Sequence, residues 1–288
     1  VSTLNLWIEG ARLRTLPAAI APVAVGTGAA AALDGFQLSH ALLALGVALA
    51  LQIGVNYAND YSDGVRGTDD TRVGPVRLVG SGGVKPKAVK WAAFACFGVA
   101  GILGLILVAL SSTWWLIAVG ALAILAAWGY TGGKNPYGYR GLGEVGVFVF
   151  FGLFAVLGTT YTQAGTLSWQ AVCGALAIGL LACAILMANN IRDIDTDITA
   201  GKRTLAVRVG DTWARRLCAL WTVGGVLLAL APAITNPWVL ILLAALIPAI
   251  FIARASLQAT GKNLIGVLRN IGLLELAVGT LFALGMAF

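Results

Sequence analysis

Two stretches of the chain carry residues able to grip a hard cation. The first runs Asn56-Tyr57-Ala58-Asn59-Asp60-Tyr61-Ser62-Asp63 and continues through Arg66-Gly67-Thr68-Asp69-Asp70. The second runs Asn189-Asn190-Ile191-Arg192-Asp193-Ile194-Asp195-Thr196-Asp197 and continues to Gly201-Lys202-Arg203-Thr204. Seven of the 12 acids fall in these two stretches, so the sparse negative charge is concentrated. On a helix, Asn56, Asp60 and Asp63 stand at i, i+4 and i+7, and Asn189, Asp193 and Asp197 at i, i+4 and i+8. Each set then presents an amide and two carboxylates on one face. Carboxylate and amide oxygens without His or Cys nearby select a hard divalent ion, and Mg²⁺ commonly completes its shell with water and substrate phosphate.

The elements that hold these clusters follow from composition. Of 288 residues, 59% are hydrophobic and 11% charged, against about 25% charged in soluble domains. Apolar runs of spanning length fall at residues 16–33, 40–57, 90–110, 113–130, 143–161, 169–188, 212–234, 237–255 and 268–288. The chain therefore reads as an all-α polytopic membrane protein with nine transmembrane helices, a single domain over residues 1–288. Residues 1–17 lack the apolar stretch of a cleavable signal and suit a short interfacial helix with Trp7 at headgroup level. All 19 Lys and Arg lie in the N-terminal segment or after the second, fourth, sixth and eighth runs. Since basic loops stay in the cytoplasm, the N-terminus is expected inside the plasma membrane and the C-terminus outside. Both acidic clusters then lie at a cytoplasmic mouth.

An ionised Asp at mid-bilayer costs about 2.5–3.5 kcal/mol, and a shared cation removes that penalty. Arg72, Arg77, Lys202 and Arg203 flank the clusters, and Lys134 in Tyr130-Thr131-Gly132-Gly133-Lys134 ends the fourth run. With Mg²⁺ they would neutralise a diphosphate. Gly80-Ser81-Gly82-Gly83 suits a closing lid or a plain linker. Glu275, inside the last run, reads either as a functional intramembrane carboxylate or equally as a buried acid paired with a polar neighbour such as Gln52, and is left out of the site. The four cysteines are separated and read as inert thiols. Nucleic acid is excluded as a partner, because the basic residues form no stripe beside exposed aromatics.

These residues resemble the UbiA superfamily of intramembrane aromatic prenyltransferases: NDxxD after the second run, YxxxK after the fourth and DxxxD after the sixth. Asn59-Asp60-Tyr61-Ser62-Asp63, Gly67-Thr68-Asp69, Gly80-Ser81-Gly82, Asn189-Asn190-Ile191-Arg192-Asp193 and Gly201-Lys202-Arg203-Thr204-Leu205-Ala206 resemble its actinobacterial 1,4-dihydroxy-2-naphthoate branch in menaquinone synthesis. The resemblance implies a UbiA-type helical bundle, with Mg²⁺ held by Asp60 and Asp63 and by Asp193 and Asp197. It implies a polyprenyl diphosphate donor contacted by Asn56, Asn59, Arg72, Arg77, Lys134, Asn189, Lys202 and Arg203. Tyr130 or Asn56 would line the allylic cation, and Tyr130 and Lys134 join the four aspartates as catalytic residues. Gly67 stands where many relatives have a third acid. The acceptor is expected to be 1,4-dihydroxy-2-naphthoate, with 4-hydroxybenzoate as the alternative. Asp60-Tyr61-Ser62-Asp63-Gly64 also loosely resembles the start of a CDP-alcohol phosphotransferase motif, but that motif's other acids would follow within one short segment. A cation-coupled transporter would place its acids nearer the midplane.

Overall fold

In a computed structural model, residues 3–67 and 77–288 are described, and all their regular structure is helical. The principal helices are α1 (Thr3–Ala11), α2 (Pro17–Ala31), α3 (Leu38–Val65), α4 (Pro86–Ser111), α5 (Leu116–Gly129) and α6 (Gly143–Ala164). They continue as α7 (Trp169–Arg192), α8 (Ile194–Thr199), α9 (Leu205–Val209), α10 (Asp211–Leu230), α11 (Leu243–Gln258) and α12 (Asn263–Ala287). Arg72, Asp69 and Asp70 lie outside the described residues.

Nine spans were expected; among the described residues seven helices are long and apolar enough to cross a membrane. The first and fourth expected spans are the shorter α2 and α5, of 15 and 14 residues. At 1.5 Å per residue each reaches about 22 Å, short of an apolar layer of about 30 Å. Their apolar runs had included non-helical residues: Leu16 precedes Pro17, which starts α2, and Trp114 and Trp115 form a turn before α5.

α7 is the core helix. Ala175, Ala177, Ile178, Leu181, Ala184 and Met187 are all completely buried, so it is enclosed all round rather than amphipathic. Without water to drive association, helices in lipid pack through small residues that let backbones meet. A β-carbon at Gly28 of α2 would stand 2.4 Å from Ala283 Cα of α12, and one at Gly152 of α6 would stand 2.6 Å from Gly179 Cα of α7. Gly152 belongs to a π-helical stretch, Phe148–Phe154, which interrupts α6. The opposite faces carry exposed Leu105, Leu122, Leu125, Leu220, Ile247 and Phe251, the apolar exterior of a multi-pass membrane protein.

α3 does not end with the apolar run at Tyr57. It continues for two more turns to Val65, so Asn56, Asn59, Asp60 and Asp63 lie on helix rather than in a loop. The second begins on the last turn of α7, crosses Asp193 at the helix break and continues on α8.

Candidate active site

α2, α3, α5, α6, α7 and α12 surround a cavity of about 410 Å³. Its walls are apolar over most of their length, with Pro22, Leu51, Val119, Phe150, Phe151, Phe154 and Leu186. At one end the lining becomes polar: Asn56, Asn59 and Asp63 from α3, Asn189 and Asn190 from α7, then Asp193, Asp197, Lys202 and Arg77. Two clusters some 130 residues apart in sequence thus meet at one mouth, with Tyr130, Tyr137 and Tyr139 between them.

Asp63 is the junction of this network. Tyr139 donates its hydroxyl to Asp63 Oδ1, and Lys202 Nζ lies 3.3 Å from the same oxygen. Arg77 Nη2 lies 3.7 Å from Asp63 Oδ2. Lys202 also stands 4.0 Å from Asp197 Oδ1 and 4.5 Å from the centre of the Tyr139 ring, joining the two clusters by charge and by cation–π contact. Arg192 grips Asp193 at both carboxylate oxygens, 2.7 and 2.6 Å, and donates to Asn189 Oδ1 at 2.8 Å. Thr131 donates to Asn59 Oδ1 at 2.8 Å. Burial pushes the Tyr137 phenol up to about 12, so it stays neutral in the wall.

Asp60 is placed differently from Asp63, with which its spacing grouped it. It is completely buried and absent from the cavity lining. Its Oδ2 accepts from Leu78 N at 2.9 Å and its Oδ1 from Val79 N at 3.0 Å. Asn56, Asn59 and Asp63 follow the i, i+3, i+7 face of α3, whereas Asp60 is turned about 100° from Asn59. The glycine-containing segment after Arg77 is consequently pinned: Ser81 N donates to Arg77 O and Val84 N to Leu78 O. Lys134 and Arg203 are exposed and do not line the cavity; Arg203 instead donates its backbone N–H to Tyr139 O at 2.8 Å. Asp195 is also exposed.

Sequence reasoning missed Tyr139, Thr131 and Glu144. Nothing in the spacing of Tyr139 marks it. Glu144 carried a signal, being the sole acid between Asp70 and Asp193. It is buried and accepts from Asn190 Nδ2 at 3.0 Å, holding that amide at the cavity wall. Glu275 is buried as expected but does not meet Gln52, which donates to Thr15 Oγ1 instead.

The UbiA prenyltransferase family model matches residues 19–263. The chain belongs to this family. Prenyl transfer is therefore the class of reaction this chain catalyses. The chain is 53% identical over 285 residues to the 1,4-dihydroxy-2-naphthoate octaprenyltransferase of Mycobacterium tuberculosis, covering 98% of this chain and 97% of that one. It is 43% identical over 230 residues to the enzyme of the same name from Escherichia coli, covering 78% and 75%. A UbiA homolog from Archaeoglobus fulgidus bound to DMAPP and Mg²⁺ shares the fold with a TM-score of 0.67 at 16% identity, covering 96% and 99%. The apo UbiA homolog from Aeropyrum pernix superposes with a TM-score of 0.71 at 17% identity, covering 93% and 96%.

Proposed function

We propose that this prenyltransferase moves a polyprenyl group from polyprenyl diphosphate to 1,4-dihydroxy-2-naphthoate, with loss of diphosphate and CO₂. The product is the demethylmenaquinol of menaquinone biosynthesis. The observation that carries the acceptor is the 53% identity, over nearly both whole chains, to the mycobacterial naphthoate octaprenyltransferase. In this reading residues 1–288 act as one domain of nine spans, α2 and α5 crossing with the turns beside them. The basic loops orient the N-terminus and the mouth to the cytoplasmic side of the plasma membrane and the C-terminus outside.

The donor's diphosphate belongs at the polar end and its tail among the apolar walls. Lys202 and Arg77 stand beside Asp63, so modest side-chain rotations bring both onto phosphate oxygens. Negative charge grows on the diphosphate as the allylic C–O bond ionises, so these cations act most strongly in the transition state. The donor set fits Mg²⁺, since the mouth offers carboxylate and amide oxygens and its lining contains no His or Cys. Among the described residues no three acids, His or Cys lie close enough to hold an ion by themselves, so water and phosphate oxygens would have to complete its shell. Asp63, Asp193 and Asp197, with the Asn59 and Asn189 amide oxygens, would hold it, and it would supply Lewis-acid neutralisation of the leaving group. Phe150, Phe151, Phe154 and Tyr130 line the cavity beyond. Their ring faces favour a passing carbocation and exclude the water that would quench it. The naphthoate ring carbon then bonds to the allylic carbon and the carboxyl group departs as CO₂.

Purified protein given Mg²⁺, a polyprenyl diphosphate and 1,4-dihydroxy-2-naphthoate should yield a demethylmenaquinone after oxidation. Undiminished turnover in EDTA would remove the metal from the reading. Equal turnover of 4-hydroxybenzoate would remove the naphthoate.

A further inference from the structure

The wall of the cavity next to α1 holds a second polar group that the diphosphate site does not use. Arg12 joins α1 to a 3-10 turn, Leu13–Thr15, with φ 52 and ψ 58. Two other non-glycine residues have positive φ among the described residues, Asp34 and Ser112, and neither lines the cavity. Arg12 does line it, and its Nη2 is buried without a hydrogen-bond partner. A left-handed backbone in a long side chain is unfavourable and persists where the surroundings hold it for a purpose. Here it aims a cation at the cavity.

Gln52 faces the same space, buried on α3 one turn before Asn56. Thr15 Oγ1 donates its only proton to Arg12 O at 2.9 Å. It therefore can only accept from its other partners, Gln52 Nε2 at 2.9 Å and Asn56 Nδ2 at 3.0 Å. That commitment fixes the Gln52 amide with nitrogen toward Thr15 and leaves Gln52 Oε1 as the free end, buried and unpartnered. One wall thus combines an unpaired cationic donor with an unpaired neutral acceptor. An unsatisfied buried pair of this kind is costly unless a ligand completes it.

We infer that Arg12 and Gln52 form the acceptor subsite, which takes an aromatic carboxylate bearing a hydroxyl ortho to it. The carboxylate accepts from Arg12 Nη2, and the hydroxyl donates to Gln52 Oε1. A diphosphate or a lipid phosphate offers only acceptors at neutral pH, so either would set lone pairs against Gln52 Oε1. The position agrees: Gln52 lies seven residues before Asn59, about 10 Å along α3 from the diphosphate end. The inference rests on the naphthoate reading above, whose acceptor has this ortho arrangement. It goes further by naming the groups that would select it.

The test compares 1-hydroxy-2-naphthoate with 1-naphthol as competitors of the acceptor on the full-length enzyme. Wild type should prefer the carboxylate by about tenfold or more, the worth of one hydrogen bond to a charged group. Arg12→Gln should reduce that preference to within about twofold and raise acceptor KM about tenfold, with donor KM unchanged. Gln52→Leu should erase the preference for 1-hydroxy-2-naphthoate over 2-naphthoate. Arg12→Gly separates ligand binding from a structural role, because glycine relieves the positive φ. It should keep or raise the melting temperature while showing the same acceptor defect. A preference unchanged in Arg12→Gln, or a defect in donor KM in place of acceptor KM, overturns the subsite. A wild type that keeps an Arg12-dependent preference for 1-hydroxy-2-naphthoate but never prenylates the naphthoate supports the subsite and overturns the function proposed above.

Discussion

Replacing Asp60 by alanine separates a loop clamp from a metal ligand. The Asp60 carboxylate is completely buried and accepts two backbone bonds, from Leu78 N at 2.9 Å and Val79 N at 3.0 Å. A hydrogen bond to a charged group contributes about 1.5–3 kcal/mol, so two give about 3–6 kcal/mol for a segment that stays dry. Water reaching the freed amides recovers part of this, and about 3 kcal/mol is the expected local loss. That corresponds to about a hundredfold in the opening equilibrium of the segment. Leu78, 1% exposed, packs so closely on Gly10 that a β-carbon there would stand 2.5 Å from Leu78 Cδ1. Opening therefore also releases a buried leucine and frees Arg77, which the segment holds beside Asp63. Hydrogen exchange followed by mass spectrometry should show residues 77–84 exchanging about a hundredfold faster in Asp60→Ala, with donor KM raised more than kcat is lowered. Asp60→Asn keeps one acceptor oxygen and should fall between. Abolished turnover with unchanged protection of residues 77–84 would refute the clamp and return Asp60 to the chemistry.

Asp197→Asn removes charge at the mouth without removing a backbone clamp. It should lower kcat by about a hundredfold or more with an unchanged melting curve, whereas wild-type turnover would take the second cluster out of the mechanism. Tyr139→Phe deletes one neutral donor to Asp63 and leaves the ring under Lys202, so kcat should fall about fivefold, the worth of about 1 kcal/mol. Gly152→Ala forces α6 away from α7 and should cost about 1–3 kcal/mol by overpacking. Gly158→Ala meets open space and serves as the control; equal thermal shifts in the two would contradict the close contact. Titration calorimetry should find that inorganic diphosphate binds at least about tenfold more tightly with Mg²⁺ than without it, and Mg²⁺ correspondingly more tightly with diphosphate. Independent binding of the two would contradict partner exchange at Asp63.

How far the sequence could be read depended on which physical signal each residue left. α7 and α12 were legible because apolar runs with few charges admit one reading in a chain this hydrophobic. α2 and α5 were overextended because composition cannot tell an apolar turn from an apolar helix, and Pro17 and the Trp114–Trp115 turn set the true starts. Asp63, Asp193 and Asp197 were singled out because helical spacing put them with amides on shared faces, and all three line the cavity although the helix breaks at Asp193. Asp60 sat inside the same motif, yet 100° of rotation gave its carboxylate to a backbone segment 18 residues later. Periodicity counts neighbours on its own helix and says nothing of what the adjoining face will meet. Tyr139 was invisible for the same reason, since its contact with Asp63 exists only once the 3-10 turn between α5 and α6 meets α3.

The mouth also explains why so few charges suffice. Each acid lining it already has a cation: Asp63 has Lys202 and Arg77, Asp197 has Lys202, and Asp193 has Arg192. A buried carboxylate without its partner would cost several kcal/mol, so this pairing lets the protein hold three acids together at a membrane boundary. The same pairing would be an obstacle if metal or diphosphate arrived alone, because each would have to strip the other's partner. Arriving together, the anion would take the cations and the metal the carboxylates, and no buried charge would be left exposed to the apolar walls. Lys202 would be the hinge of that exchange, since its Nζ stands 3.3 Å from Asp63 Oδ1 and 4.0 Å from Asp197 Oδ1 and so touches both acidic clusters.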